Sequence, residues 1–292
     1  MKINRLQKHR AMIYLGVALV VVGSGTVTYC VLHHFNQSNS APYQSIQERQ
    51  SSATLEGKTP DSQKNPSPTA PTIALPNAAP ISARIINDTD DADLWRIVNK
   101  SRGFTNPRYQ PSDLRLVSVP TLPGRGHEER SLRAVLMPDL EKLVAAAGNA
   151  GVTIYVGSGY RSYATQASLF ASNVRQHGEA KANRFSSRPG HSEHQSGLAV
   201  DFGSTDQACW VEDCFEQTTA GKWLVTHAHN YGFILRYPKN KESITGYQYE
   251  PWHFRYVGRE LAGALYQSGL TMEEAWSYIE KAMTELKQRG TQ

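Results

Sequence analysis

Acid is missing from the first thirty-five residues of this 292-residue chain, charge of either sign is missing from Ala11 to Leu32, and no segment repeats. The first absence confines the formal net charge of +5: Lys2, Arg5, Lys8 and Arg10 carry four of those charges, and the +1 left over gives no basic face for nucleic acid. The second absence leaves an apolar run, AMIYLGVALVVVGSGTVTYCVL, long enough to cross a bilayer core, which takes about 20 apolar residues in a helix. Basic residues on its N-terminal side keep that end cytoplasmic and put the chain beyond Leu32 outside. A cleaved signal peptide has an apolar core of only about 7 to 15 residues and a cleavage site of the A-x-A kind. No good site of that kind is present, and Tyr29 stands where a lipidated Cys30 would need a small residue. The expectation is a cytoplasmic leader at 1–10 and an uncleaved single-pass anchor at 11–32.

Large apolar side chains are scarce from Asn36 to about Pro80, where Ser, Pro, Gln, Asn and Thr dominate. Such a segment cannot bury enough surface to offset its ordering entropy, so 33–80 is expected to be a disordered linker. At roughly 5 to 6 Å times the square root of its length, it would reach a few tens of Å from a membrane. The rest, 81–292, alternates helical and strand patterns without a repeat, which points to one α+β domain. Pro138–Ala147 reads as a helix with Pro in its first turn, Val152–Val156 as a strand ending at Gly157, and Ser162–His177 as a helix stopped by Gly178. Leu198–Phe202 reads as a second strand, a further helix runs to about Tyr231 before GFILRY, and Thr271-x-x-Glu274 is a capping box opening a terminal helix through Ala282.

Two clusters carry chemistry: Ser192-Glu193-His194-Gln195-Ser196-Gly197-Leu198-Ala199-Val200-Asp201 and Glu250-Pro251-Trp252-His253. Zinc in hydrolytic sites takes three protein ligands from His, Asp or Glu and keeps one position for water, a set that His194, Asp201 and His253 can supply. Gly197 lets the backbone turn between His194 and the strand bearing Asp201. Glu250 and His253 would face opposite sides of a regular strand, but Pro251 breaks that regularity, which leaves Glu250 able to serve as the base. By spacing alone other pairs stay open: His191 with His194, and His227 with His229, the latter more simply cationic groups near a helix C-terminus.

S-x-H-x-x-G-x-A-x-D followed roughly fifty residues later by E-P-W-H resembles the D-alanyl-D-alanine carboxypeptidases of the VanY type, in the LAS group of zinc peptidases. The resemblance extends over Gly157–Ser162 (GSGYRS), Pro189–Phe202 (PGHSEHQSGLAVDF) and Gly232–Gly258, and Ile97–Lys100 (IVNK) is similar to the opening strand of these domains. It implies a compact α+β zinc peptidase domain with a small, mainly antiparallel sheet and flanking helices. It implies zinc on His194, Asp201 and His253, Glu250 as general base and then acid, and Arg161 steadying the oxyanion. Ser192 and Gln166 fall where the family contacts the peptide terminus, although Gln166 can equally be read as packing on a helix face. The implied activity is removal of terminal D-alanine from peptidoglycan stem peptides, across a D,D or an L,D bond. An endopeptidase or D-Ala-D-Ala dipeptidase of the same group is the alternative. A catalytically silent wall-binding module is another, but it would have no need of Glu250 together with all three ligands.

Only three cysteines are present. Cys30 falls in the apolar run, and outside the membrane the compartment is oxidising, so Cys209 and Cys214 are expected to pair. The whole chain is thus expected to be a monomer held in the cell membrane, with its catalytic domain extracytoplasmic.

Overall fold

A computed structural model describes residues 71–290 apart from 88, 205, 206 and 208. The leader, the apolar run 11–32 and most of the linker lie outside the described residues; among those described, no helix is long and apolar enough to cross a membrane.

The chain opens with a short antiparallel hairpin, β1 (Thr72–Ile73) and β2 (Ile81–Ser82). Ile73, Leu75 and Ile81 are buried in one apolar cluster with Trp276 and Ile279 near the C-terminus. The described residues thus include 71–80, which composition assigned to the linker, and they pack in this cluster. The polar composition of the preceding stretch masks these few apolar residues, and Asn77, at φ 58°, makes the turn between the strands.

A second hairpin pairs β3 (Leu114–Leu116) with β4 (Ser131–Arg133), and α1 (Met137–Asn149) follows with Pro in its first turn. β5 (Tyr155–Ser158) lies slightly later than expected and runs through Gly157, where the register shifts. Helix α2 (Tyr163–His177) starts at Ser162, whose hydroxyl accepts from Thr165 N–H at 3.2 Å, and stops at Gly178, φ 78°. Then come α3 (Glu179–Phe185), β6 (Ala199–Gly203) and α4 (Thr219–His227), which tightens into a 3-10 turn to Tyr231. β7 (Phe233–Leu235), α5 (Glu242–Thr245), β8 (His253–Tyr256), α6 (Arg259–Ser268) and α7 (Met272–Gly290) complete the domain. The capping box at α7 is reciprocal: Glu274 N–H donates to Thr271 Oγ at 3.2 Å, and Thr271 N–H donates to Glu274 Oε2 at 2.9 Å. The helix runs eight residues beyond Ala282.

The central sheet has the order β5-β6-β8-β7 and is antiparallel throughout. Alternation along a strand sends successive side chains to opposite faces. Val200, Phe202, Phe254 and Tyr256 take one face and pack with Leu136, Leu140, Leu143 and Ala147 of the α1 region in the main core. Each such large side chain contributes about 1.5 to 3 kcal/mol of burial free energy. The alternate positions, Asp201, His253 and Arg255, are polar and equally buried, so the opposite face of the same sheet is a charged layer.

Ile97–Lys100 does not form the expected strand. Asn99 Oδ1 accepts from the N–H groups of Ser101 and Arg102, closing a turn that ends any extended run. The carbonyls of Leu94 and Arg96 accept from the Arg255 guanidinium at 3.0 and 3.1 Å instead of from a neighbouring strand.

Candidate metal centre and cleft

Asp201 on β6 stands directly opposite His253 on β8, and Ser158 on β5 stands opposite Asp201, so three strands present these side chains in one row. His194 reaches the row from a 3-10 turn, Glu193–Ser196, which ends at Gly197 in the left-handed conformation (φ 66°). A Cβ on Gly197 would also lie 2.9 Å from Arg133, so both backbone and space demand glycine there. His194 Nε2 is 3.2 Å from Asp201 Oδ2 and His253 Nδ1 is 3.0 Å from Asp201 Oδ1. One ligand atom from each residue can be chosen so that all lie within 4.8 Å of one another.

The far nitrogen of each imidazole is also engaged. His194 Nδ1 is 2.7 Å from the carbonyl of Gly159, and His253 Nε2 is 3.2 Å from Glu193 Oε2. Acceptors at those atoms favour the N–H there once a cation takes the lone pair of the nitrogen beside Asp201, the arrangement that metal-binding histidines require. Two imidazoles so oriented, with one carboxylate between them, fit a divalent cation of borderline softness.

Glu250 precedes β8 in a turn in which His253 N–H donates to Glu250 O at 3.1 Å. This irregular turn at Pro251 brings the two side chains to one side, with Glu250 Oε2 3.9 Å from His253 Nδ1. Arg161, partly exposed, donates to Gln166 Oε1 at 3.0 Å and Ser158 Oγ at 3.2 Å. Gln166 is buried and donates through Nε2 to Ser187 O at 2.7 Å, so its amide bridges Arg161 and the backbone. Ser192 is buried at the start of the 3-10 turn.

His194, Asp201, His253, Glu250, Arg161, Ser192 and Gln166 all line one open cleft of about 1100 Å³, above the usual size for a small-molecule pocket and suited to a peptide. A smaller, mainly apolar cavity of about 180 Å³ beside α4 and α6 contains none of them. The other candidate histidines, His191, His227 and His229, are not among the three residues that converge. His191 Nδ1 bonds Asn99 O at 3.0 Å, His227 stacks on Trp223, and His229 stacks on Tyr266.

Cys209 and Cys214 are bonded, with Cα atoms 5.4 Å apart. The loop they close sets Trp210 against Gly157, where a Cβ would lie 2.0 Å from the indole. Trp210 and Val211 form part of the cleft wall, and Arg125 lies over the Trp210 ring at 4.8 Å. Sequence reasoning assigned this loop a bridge but no place in the cleft. It also passed over Glu193, although its position inside the S-E-H motif was a signal. The carboxylate is fully buried, bonded to His253 and paired with Arg236 (2.7 Å) and Arg255 (3.0 Å).

In the protein alone, burial pushes Glu250 up to about 8, partly offset by the charge of His253. His253 rises to about 9: burial opposes its charge, but bonds to Asp201 and Glu193 outweigh burial. Burial depresses His194 despite Asp201. Asp201 is held far below the carboxylate range; burial opposes ionisation, and the two histidines overcome it. Linkage then gives a sign. Between about 6.5 and 9 the folded protein holds protons on His253 and, up to about 8, on Glu250 that the unfolded chain releases, so stability falls as pH rises through this window. Urea unfolding of the metal-free protein is expected to show a lower midpoint at pH 9 than at pH 6.5, and saturation with a divalent cation, which replaces the proton on His253, is expected to flatten that slope. A midpoint that rises with pH in the metal-free protein would contradict this reading.

Comparison with known proteins covers the stretch of chain that carries the cluster. Residues 129–259 match the family model VanY, D-alanyl-D-alanine carboxypeptidase. YodJ of Bacillus subtilis (strain 168), which bears a carboxypeptidase name, is 39% identical over 189 residues, 65% of this chain and 69% of its own. The bifunctional D-Ala-D-Ala dipeptidase and D-Ala-D-Ala carboxypeptidase VanXYC of Enterococcus gallinarum is 40% identical over 141 residues, 48% of this chain and 74% of that one. Among solved structures, the LdcB LD-carboxypeptidase shares 37% identity at a TM-score of 0.62, covering 67% of this chain and 94% of that one. VanYB, solved in complex with D-alanine-D-alanine, shares 31% at a TM-score of 0.50, covering 63% and 97%. With a relative this similar along more than two thirds of its length, and a family match that spans both histidines, Asp201 and Glu250, the chain belongs to the VanY family of D-alanyl-D-alanine carboxypeptidases.

Proposed function

We propose that this protein is a zinc carboxypeptidase that releases terminal D-alanine from peptidoglycan stem peptides. The observation that carries the reading is the buried His194–Asp201–His253 set with Glu250 beside it in a peptide-sized cleft. His194, Asp201 and His253 would hold the metal. When bound there, zinc supplies a Lewis acid that polarises the scissile carbonyl and brings the pKa of a water to about 7.

The remaining steps belong to the chain's own side chains. With a cation in the cluster to oppose the burial that raises its carboxyl, Glu250 takes a proton from the attacking water and passes it to the departing amine of D-alanine. Arg161, braced by Gln166 and Ser158, donates to the oxygen that gains charge as the carbonyl is attacked. Ser192, buried in the cleft wall one residue before Glu193, contacts the peptide terminus. Gln166 acts chiefly by holding Arg161, since both ends of its amide are already bonded.

Defined pentapeptide and tetrapeptide muropeptides, incubated with the zinc-loaded domain and weighed, test the reading and divide D,D from L,D cleavage. Loss of one alanine from either supports it. Hydrolysis of free D-Ala-D-Ala with the muropeptides left intact, or cleavage of a cross-linked dimer, transfers the protein to the dipeptidase or endopeptidase reading. No mass change on either substrate overturns the proposal. The anchor at 11–32, with an extracytoplasmic monomeric domain beyond it, is proposed from its sequence alone. It predicts that the full-length protein fractionates with membranes and keeps its N-terminus.

A further inference from the structure

The charged layer behind the metal cluster continues well past Glu193. Glu193 Oε2 lies against His253 Nε2 at 3.2 Å, while Oε1 accepts from Arg236 Nε at 2.7 Å and pairs with Arg255 Nη1 at 3.0 Å. Arg236 turns its two remaining nitrogens to Glu273 on α7, at 2.8 and 2.6 Å, and Glu273 Oε1 also accepts from Asn99 Nδ2 at 3.0 Å. Two carboxylates and two guanidiniums thus balance in a quartet that is buried except at Glu273, whose side chain is 14% exposed. Tyr237, under the Arg236 guanidinium at 5.0 Å, stacks on His253 with centroids 4.9 Å apart. Asn99 and Glu273 both lie outside the residues 129–259 that match the family model.

We infer that Glu273 of α7 is a positioning residue for the metal centre, acting through Arg236 and Glu193 to hold the His253 ring and keep its metal-facing nitrogen basic. The inference rests on the proposed zinc site. A carboxylate behind a ligating imidazole raises the basicity of the nitrogen that faces the metal. Glu193 can do so only while its charge is not drawn off by the two arginines, and Glu273 supplies the counter-charge that shares Arg236. With Glu273 neutralised, two guanidiniums converge on the single carboxylate of Glu193. Its hold on the His253 N–H weakens, and so does zinc. A helix outside the family match therefore sets the affinity of a site inside it.

The test compares neighbouring residues on one helical turn. Glu273→Gln removes the counter-charge from Arg236. Glu274→Gln disturbs the same turn through its cap and its 2.7 Å ion pair with Lys241 but touches nothing in the quartet. Zinc affinity is measured by competition with a chromophoric chelator for wild type, Glu193→Gln, Glu273→Gln, Glu274→Gln and Asp201→Ala, with the absorption spectrum of the cobalt(II)-loaded forms as a second readout. The expected result is a loss of affinity of about 10- to 100-fold for Glu193→Gln, a smaller loss for Glu273→Gln with an altered cobalt spectrum, and wild-type values for Glu274→Gln. Equal affinity for wild type and Glu273→Gln overturns the inference while leaving the zinc site standing. So does an equal fall for Glu274→Gln, which would make the effect one of helix stability. A wild type that binds no more zinc than Asp201→Ala overturns the site and the inference together.

Discussion

Glu250→Gln is expected to release D-alanine about 10²- to 10⁴-fold more slowly than the wild type while keeping its zinc. Gln has nearly the volume of Glu, and Glu250 lies beside the cluster, 3.9 Å from His253 Nδ1, without belonging to the three residues whose ligand atoms converge. The substitution therefore removes a proton acceptor and leaves the donor set intact. The carboxyl sits where burial has raised it to about 8, with Asp201 adding to that rise and His253, Arg161 and Lys100 opposing it. The measurement is D-alanine release from a stem peptide, paired with zinc per protein after dialysis. Hydrolysis at the wild-type rate would remove Glu250 from the mechanism, and loss of zinc would make it a ligand.

Asp201→Ala should fail in the other way, losing zinc and activity together. Asp201 is the residue of the cluster within hydrogen-bonding distance of both of the others, at 3.2 Å from His194 and 3.0 Å from His253. Its removal deletes one of three donors and leaves two imidazoles face to edge, 4.9 Å apart, with no negative charge between them. Metal binding is coupled to folding, so the variant should also unfold at a temperature close to that of the metal-free wild type and gain nothing from added zinc. Stoichiometric zinc retained through dialysis would refute the ligand role. Because both substitutions abolish most turnover, metal content and thermal stability carry the assignment.

The helix ends were legible from a few adjacent residues. Ser162 and Gly178 bracket α2, and the Thr271–Glu274 box opens α7, because a cap depends on dihedrals and bonds within one turn. The alternation Val200–Asp201–Phe202 likewise showed a strand with one polar position between two apolar ones. The hairpin at 71–82 was hidden for the opposite reason. Its apolar residues are few and are stabilised by α7, some two hundred residues away. IVNK resembles the opening strand of the family's domains, and Ile97 and Val98 are buried, yet burial there comes without a neighbouring ladder.

The sequence by itself determined the donor types, the glycine between His194 and Asp201, and the family these motifs belong to. The tertiary structure decided which partners those groups take. Asp201 and His253 are 52 residues apart, and only the β6–β8 register sets them opposite each other. Nothing in a chain with 31 Lys and Arg against 26 Asp and Glu says that Arg236 would choose Glu193 and Glu273, or that Glu193 would stand behind His253 and not in solvent. The reason is physical. Caps and turns are fixed by the dihedrals of a few neighbouring residues, whereas a buried charge is stable only where packing brings a counter-charge and closes out water, and that is a property of the assembled core.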